Sequence, residues 1–139
     1  MIDDDRLKHI LGVARLMSQN AKKLGLDEKE MFMLGLLHDI GYEFGDIRQH
    51  NKQGGEFLKT QNYRYYQEVM YHGIPNPPYN SVELDLLNYA DLHITKQGEY
   101  VSMEDRLNDI GSRWGFDSEF YLNPKIIATD LQNRGFLIE

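Results

Sequence analysis

The sequence predicts an all-α fold, a single-domain bundle of about six to seven helices over residues 1–139. Three observations predict it. Apolar residues recur at three- and four-residue spacing along most of the chain. Recognisable helix-start and helix-stop residues bracket those runs. No stretch alternates apolar and polar residues convincingly with period two. With 139 residues the chain has the size of one domain and can bury a core without disulfide or metal staples.

The elements follow in order. Leu7, Ile10, Leu11, Ala14 and Met17 mark the apolar face of a first helix, and Gly25 reads as its stop. Asp27 and Glu30 have the spacing of a capping box. They precede the almost wholly apolar run Met31 to Leu37, the central buried helix, which ends at His38-Asp39 with Gly41 as its C-terminal stop. A loop through Gly45 and Asp46 leads to a third helix from about His50 to Lys59. Gly54 and Gly55 inside it each cost about 1 kcal/mol relative to Ala, so they predict a close backbone approach. A tyrosine-rich fourth helix runs from about Tyr63 to Tyr71 and ends at His72-Gly73. Pro75, Pro77 and Pro78 exclude a helix in the next segment. Ser81 then caps a fifth helix reaching about His93, and Ser102 caps a sixth from Met103 to Trp114, closed by Gly115. Pro124 suits the first turn of a last helix that ends before Gly135.

Composition narrows the function. The chain has no cysteine, so a bound metal would need histidine and carboxylate ligands, the pattern of catalytic rather than structural zinc-knuckle sites. A net charge of -7 argues against wrapping long nucleic acid, which requires Lys and Arg at phosphates. The acidic start Met1-Ile2-Asp3-Asp4-Asp5 lacks the layout of a signal peptide, and no apolar run is long enough to span a bilayer. A cytoplasmic location without membrane contact is expected.

The residues that carry chemistry are histidines and aspartates at helix ends. Adjacent residues on a regular helix point about 100° apart, but at a terminal turn His38 and Asp39 can converge on one cation. His9 lies beside the apolar stripe of the first helix, His50 opens the third and His72 closes the fourth. Asp91 sits in the apolar stretch Leu87-Asn88-Tyr89-Ala90-Asp91-Leu92, where a carboxylate is costly unless paired or bound to a cation. His93, two residues on, falls on a different helix face and reads as a supporting or surface residue.

The order His9, then His38-Asp39, then Asp91, with Leu36-Leu37-His38-Asp39-Ile40-Gly41 around the pair and Tyr89-Ala90-Asp91 at the end, resembles the H…HD…D signature of the HD-domain metal-dependent phosphohydrolases over residues 7 to 115. His50, in His50-Asn51-Lys52-Gln53-Gly54-Gly55, and His72 resemble the two further histidines of that superfamily's dinuclear subgroup. The resemblance implies that His9, His38, Asp39 and Asp91 hold one divalent ion and that His50, His72 and a bridging Asp39 hold a second, with Asp39 and His38 at the centre of catalysis. Iron or manganese suits this donor set, with zinc, nickel and magnesium also compatible.

The implied activity is hydrolysis of a nucleotide or other small phosphate ester by a metal-activated hydroxide. Lys52, Tyr79, Lys96, Arg106 and Arg113 are the candidate substrate contacts. Tyr42 and Tyr79 can stack on a base, and the segment Gly73–Asn80 can form a wall of the pocket. Tyr42 stands where the similar diadenosine-tetraphosphate hydrolases carry a lysine. A di-iron oxygenase would use the same six ligands, and a non-enzymatic metal- or nucleotide-binding module is a third reading. Tyrosines and tryptophan on the surface would permit a homodimer.

Overall fold

The computed structural model describes residues 2–44 and 49–137. Among them the chain forms seven α-helices: α1 (Asp4–Ala21), α2 (Glu28–Leu37), α3 (His50–Thr60), α4 (Tyr66–Tyr71), α5 (Val82–Asp91), α6 (Met103–Trp114) and α7 (Glu119–Asn133). Short 3-10 turns follow α1 and α2. The described residues contain no strand, only a single antiparallel bridge between Ile94 and Tyr100. The all-α expectation holds.

Local chemistry explains most boundaries. The side chains of Asp27, Ser81 and Ser102 accept hydrogen bonds from the backbone N–H three residues on, at Glu30, Leu84 and Asp105, satisfying amides that the helix itself cannot. Asp3 does the same for α1 through the Arg6 amide. Gly25, at φ 72°, ends the first helical segment in the left-handed conformation. The predicted loop through Gly45 and Asp46 lies outside the described residues.

Three expectations need correction. Gly41 does not stop α2; α2 ends at Leu37 and Gly41 lies within the following 3-10 turn. Its backbone is instead pressed against that of His50, where a Cβ would collide with the His50 carbonyl. The fourth helix is shorter than predicted, because the chain still turns through Asn62, at φ 59°, and Tyr65 precedes the first helical residue. Pro124 lies not in the first turn of α7 but in its interior, since Ser118 caps the helix earlier. At that position proline cannot donate to the carbonyl four residues back, that of Phe120.

One apolar cluster draws on all seven helices, through Val13 and Met17, Met31 and Leu34, Leu58, Val69, Leu86 and Leu87, Met103, and Ile127 and Leu131. The paired glycines of α3 serve close packing, as expected: Gly54 meets the backbone of Gly41 and Gly55 that of Met70. This draws α3 onto the end of α2 and onto α4, and with them His50 towards His38, Asp39 and His72.

Candidate metal centre

Six side chains from five helical elements converge at one end of this core. His9 lies on α1 next to the buried stripe of Ile10, Val13 and Met17 and is itself 2% exposed. His38 and Asp39 follow the last residue of α2, in the turn that lets both point the same way. His50 is the first residue of α3, His72 caps the end of α4, and Asp91 is the last residue of α5. His38, Asp39 and His72 are buried as deeply as His9.

Asp39 divides the cluster. Its Oδ2 lies 3.2 Å from His38 Nε2 and 3.8 Å from His9 Nε2. Its Oδ1 lies 3.4 Å from His50 Nε2 and 3.5 Å from His72 Nε2. Asp91 completes the first group, with its Oδ1 2.8 Å from His9 Nε2 and 3.7 Å from His38 Nε2. Two clusters with metal-ligand spacing result, His9 with His38 and Asp91, and His38 with Asp39 and His72.

The histidines are oriented from behind. Nδ1 of His9 donates to the Thr95 carbonyl, that of His38 to the Gly35 carbonyl and that of His72 to the Val69 carbonyl. Each bond fixes the ring and, in the neutral form, leaves the lone pair on Nε2, where a metal would be bound. Nε2 of His38 is buried and makes no hydrogen bond, although Asp39 Oδ2 lies 3.2 Å and Asp91 Oδ1 3.7 Å away. An orphaned acceptor-donor atom of this kind among imidazoles and carboxylates fits a divalent cation. His9, His38 and Asp91 with one oxygen of Asp39 would hold one ion, and His50 and His72 with the other oxygen would hold a second.

Electrostatics agrees with cation binding. Burial works against ionisation of His38, yet Asp39, with Asp91, raises it to about 10. Burial would likewise raise Asp39, but His38, with His50 and His72, holds it well below the usual carboxylate range. Asp91 is held low against the same desolvation by His38 and His9. The cluster therefore keeps one buried and one partly buried carboxylate charged and balances them with positive charge, a demand that a metal can meet.

Arg6, Asn51 and Asn88 join the site without having been singled out in the sequence, beside Tyr42, which was. Arg6 donates from Nη1 to Asp39 Oδ2 at 3.1 Å and lies over the ring of Tyr42, 3.9 Å from its centroid. Tyr42 in turn stacks on His50, with centroids 4.3 Å apart. Burial, followed by Asp39, pushes the Tyr42 hydroxyl up to about 12. Arg6 sits one turn before His9 on the same helix face, a spacing that pointed to it. Asn51 donates to the His72 carbonyl and Asn88 accepts from the Gly73 amide, bracing the turn that carries His72.

The centre opens into a cavity of about 290 Å³. Arg106 lines it and also holds Asp91, donating from Nε to its backbone carbonyl at 3.3 Å. Glu119, Phe120, Asn123 and Pro124 of α7 form another wall, which no local pattern announced. Lys96 and Arg113 lie at an adjoining recess. Lys52 is exposed and Tyr79 is turned elsewhere, and neither lines this cavity. Lys52 is two residues from His50 and so on a different face of α3, while the Tyr79 hydroxyl donates to the buried Glu68 carboxylate at 2.8 Å. Of the segment Gly73–Asn80, only Gly73 and Ile74 reach the cavity. His93 stays out of the ligand set: it donates to the Val101 carbonyl and stacks on Tyr100.

A family model for the HD domain matches residues 6–113. The chain belongs to the HD domain family. The match covers α2 to α5 and all but the outer ends of α1 and α6, and with them every candidate ligand of the centre, while α7 lies beyond it. HD domains are generally metal-dependent hydrolases, and the centre of this one has the side chains to hold metal. Searches of curated proteins and of solved structures each found no significant match. No helix among the described residues is long and apolar enough to cross a membrane.

Proposed function

We propose that this HD domain is a dinuclear metal-dependent phosphohydrolase acting on a small phosphate ester, with a nucleotide as the leading candidate. The observation that carries the reading is the division of Asp39, one oxygen facing the His9–His38 pair and the other facing the His50–His72 pair. A single-ion site would have no use for the second pair of inward-facing imidazoles. Bound divalent ions supply Lewis acidity at a phosphoryl oxygen and acidify water, so that a nucleophile exists at neutral pH. Iron or manganese is the expected occupant.

The protein's own groups prepare the site. Asp39 sets the spacing between the two histidine pairs. The Thr95, Gly35 and Val69 carbonyls lock the imidazoles before a ligand arrives, which removes reorganisation from the reaction. Arg6 and Arg106 line the cavity as fixed cations that can stabilise negative charge growing on a phosphoryl group.

Metal analysis of protein purified without chelator, followed by a phosphate-release screen over nucleotides with added Mn²⁺ or Fe²⁺, tests the reading. Two ions per chain and turnover without oxygen are expected. Asp39→Ala should abolish metal loading while keeping the helical content. Full metal and full activity in that variant would sink the assignment, and oxygen consumption in step with turnover would replace hydrolysis by oxidation.

A further inference from the structure

Beside the metal cavity lies a second recess of about 150 Å³. Arg6, His9, Tyr42, His50, Arg106 and Phe120 belong to the walls of both, so the recess opens directly off the metal centre. The recess adds Lys96, Ile110, Arg113 and Trp114. Among the described residues its wall thus carries four cations, Arg6, Lys96, Arg106 and Arg113, and no carboxylate. In a chain where Asp and Glu outnumber Lys and Arg by 22 to 15, such a wall is a local reversal of sign.

The arginines among them are held by acidic partners, Arg6 by Asp39 and the other two by Asp109, while Lys96 is exposed. Asp109, outside the wall, pairs with Arg113 Nη2 at 3.1 Å and lies 3.8 Å from Arg106 Nη1. The Arg106 side chain is only 12% exposed, and its buried Nη1 has no hydrogen-bond acceptor. A desolvated guanidinium nitrogen without an acceptor is unfavourable until one arrives. Trp114 and Phe120 supply the aromatic part, with rings 4.7 Å apart. Both lie beyond residue 113, outside the segment that the HD family model matches. The recess therefore combines the family core with residues that the family pattern does not describe.

We propose that this recess is a second anion subsite, which receives a phosphate group of the substrate remote from the scissile bond. The substrate class is then a small molecule bearing two phosphates, not a simple phosphomonoester. The inference rests on the phosphohydrolase reading of the adjoining metal centre. Three guanidinium groups and an ammonium suit the several acceptor oxygens of a phosphate better than those of a single planar carboxylate. A volume of about 150 Å³ matches a cavity that admits one benzene-sized group. It has room for a phosphate and a few further atoms, not for a second nucleoside.

The test uses the full, metal-loaded chain and a matched pair of probes, a nucleoside 3′,5′-bisphosphate and the corresponding 5′-monophosphate. Trp114 is the only tryptophan, so its emission reports on the recess whether or not turnover occurs. The bisphosphate should shift that emission and the monophosphate should not. Lys96→Gln and Arg113→Gln, on different elements, should each weaken bisphosphate binding about tenfold, the scale of one charge-assisted hydrogen bond. The preference in kcat/KM for bisphosphate over monophosphate should fall by a similar factor. Equal binding and emission changes for the two probes in the wild type, or equal losses for both in the variants, would overturn the subsite. Absence of hydrolysis alongside a Trp114 response that depends on Lys96 and Arg113 would remove the phosphohydrolase reading and leave the subsite standing. Hydrolysis without preference for the second phosphate would do the opposite.

Discussion

Gly41→Ala offers a sharp test of how the second half of the metal centre is held. A methyl group on Gly41 would fall on the His50 carbonyl, far inside van der Waals separation, and Gly54 of the same helix already abuts the Gly41 amide. Relief requires the two backbones to part by on the order of 1 Å or more, because carbon and oxygen do not approach much within about 3.3 Å. Whichever backbone yields, His50 moves relative to Asp39, because the Asp39 carbonyl accepts from the Tyr42 amide at 3.1 Å and ties the turn containing Gly41 to Asp39. Metal ligation tolerates about 0.2 Å, so a shift of this size takes His50 out of reach of any ion near Asp39 Oδ1. The variant should lose affinity for the second ion by about 10- to 100-fold or more and about 1–3 kcal/mol of stability from overpacking. His9 and His38 are held by the Thr95 and Gly35 carbonyls rather than by the Gly41–His50 contact, so the first ion should remain. Metal stoichiometry after dialysis, read together with the urea unfolding midpoint, measures both effects. Two ions retained at wild-type affinity in a folded variant would refute the claim that this backbone contact positions His50.

His50→Ala should leave one ion per chain where the wild type holds two; one ion in both would establish a mononuclear centre. Chelator-treated protein should lose stability in alkali, because the raised His38 group, at about 10 against an ordinary 6.5, contributes fully below about 6.5 and loses its contribution as pH climbs through 10. Asp39 and Asp91, both held low, contribute above the ordinary carboxylate value and lose that contribution in acid. Urea midpoints from pH 5 to 10 should therefore fall on the alkaline side, and His38→Asn should flatten that fall; an unchanged slope would reject the protonated His38. Tyr79→Phe should cost about 1.5–3 kcal/mol, the range for a hydrogen bond to a charged group, since the hydroxyl serves the buried Glu68 carboxylate. Its metal content should be unchanged, and a selective loss of substrate affinity at full stability would return Tyr79 to the site.

What was legible in the sequence was local. Gly25, Asp27, Ser81 and Ser102 mark helix ends because a cap acts over three or four residues, and each does so here. The ligand candidates were legible because polar groups interrupted apolar runs, at helix ends for most of them and beside the buried stripe of α1 for His9. The misreadings came from contacts distant in sequence. Gly41 looked like a helix stop, yet its small size serves the approach of His50. Pro124 looked like a first-turn residue because proline is common there, while Ser118 starts the helix a turn and a half sooner. The wall formed by Glu119, Phe120 and Asn123 depends on how α7 lies against the rest, for which no spacing rule exists. Arg6 carried a signal, its one-turn offset from His9, that is informative only once His9 is placed in a site.

The cost of the cluster is itself evidence for its use. A buried and a partly buried carboxylate, three deeply buried imidazoles and a half-buried guanidinium occupy a place that apolar side chains could fill with equal or greater stability, because desolvation of ions consumes most of what their attraction returns. Arg6 bonds Asp39 Oδ2 and so neutralises part of its charge, but it approaches from the Tyr42 side and leaves Oδ1 to His50 and His72. Without a cation, Asp39 and Asp91 favour a proton on His38, raising it to about 10 against the desolvation of the site. With one, that proton must leave, since Nδ1 already donates to Gly35 and only Nε2 can ligate. Metal uptake near neutral pH should thus release a proton from His38, and this coupling joins the pH dependence of the metal-free protein to the affinity of the loaded one. A cluster kept only for packing would have no reason to leave the Nε2 of its most buried histidine without a hydrogen bond.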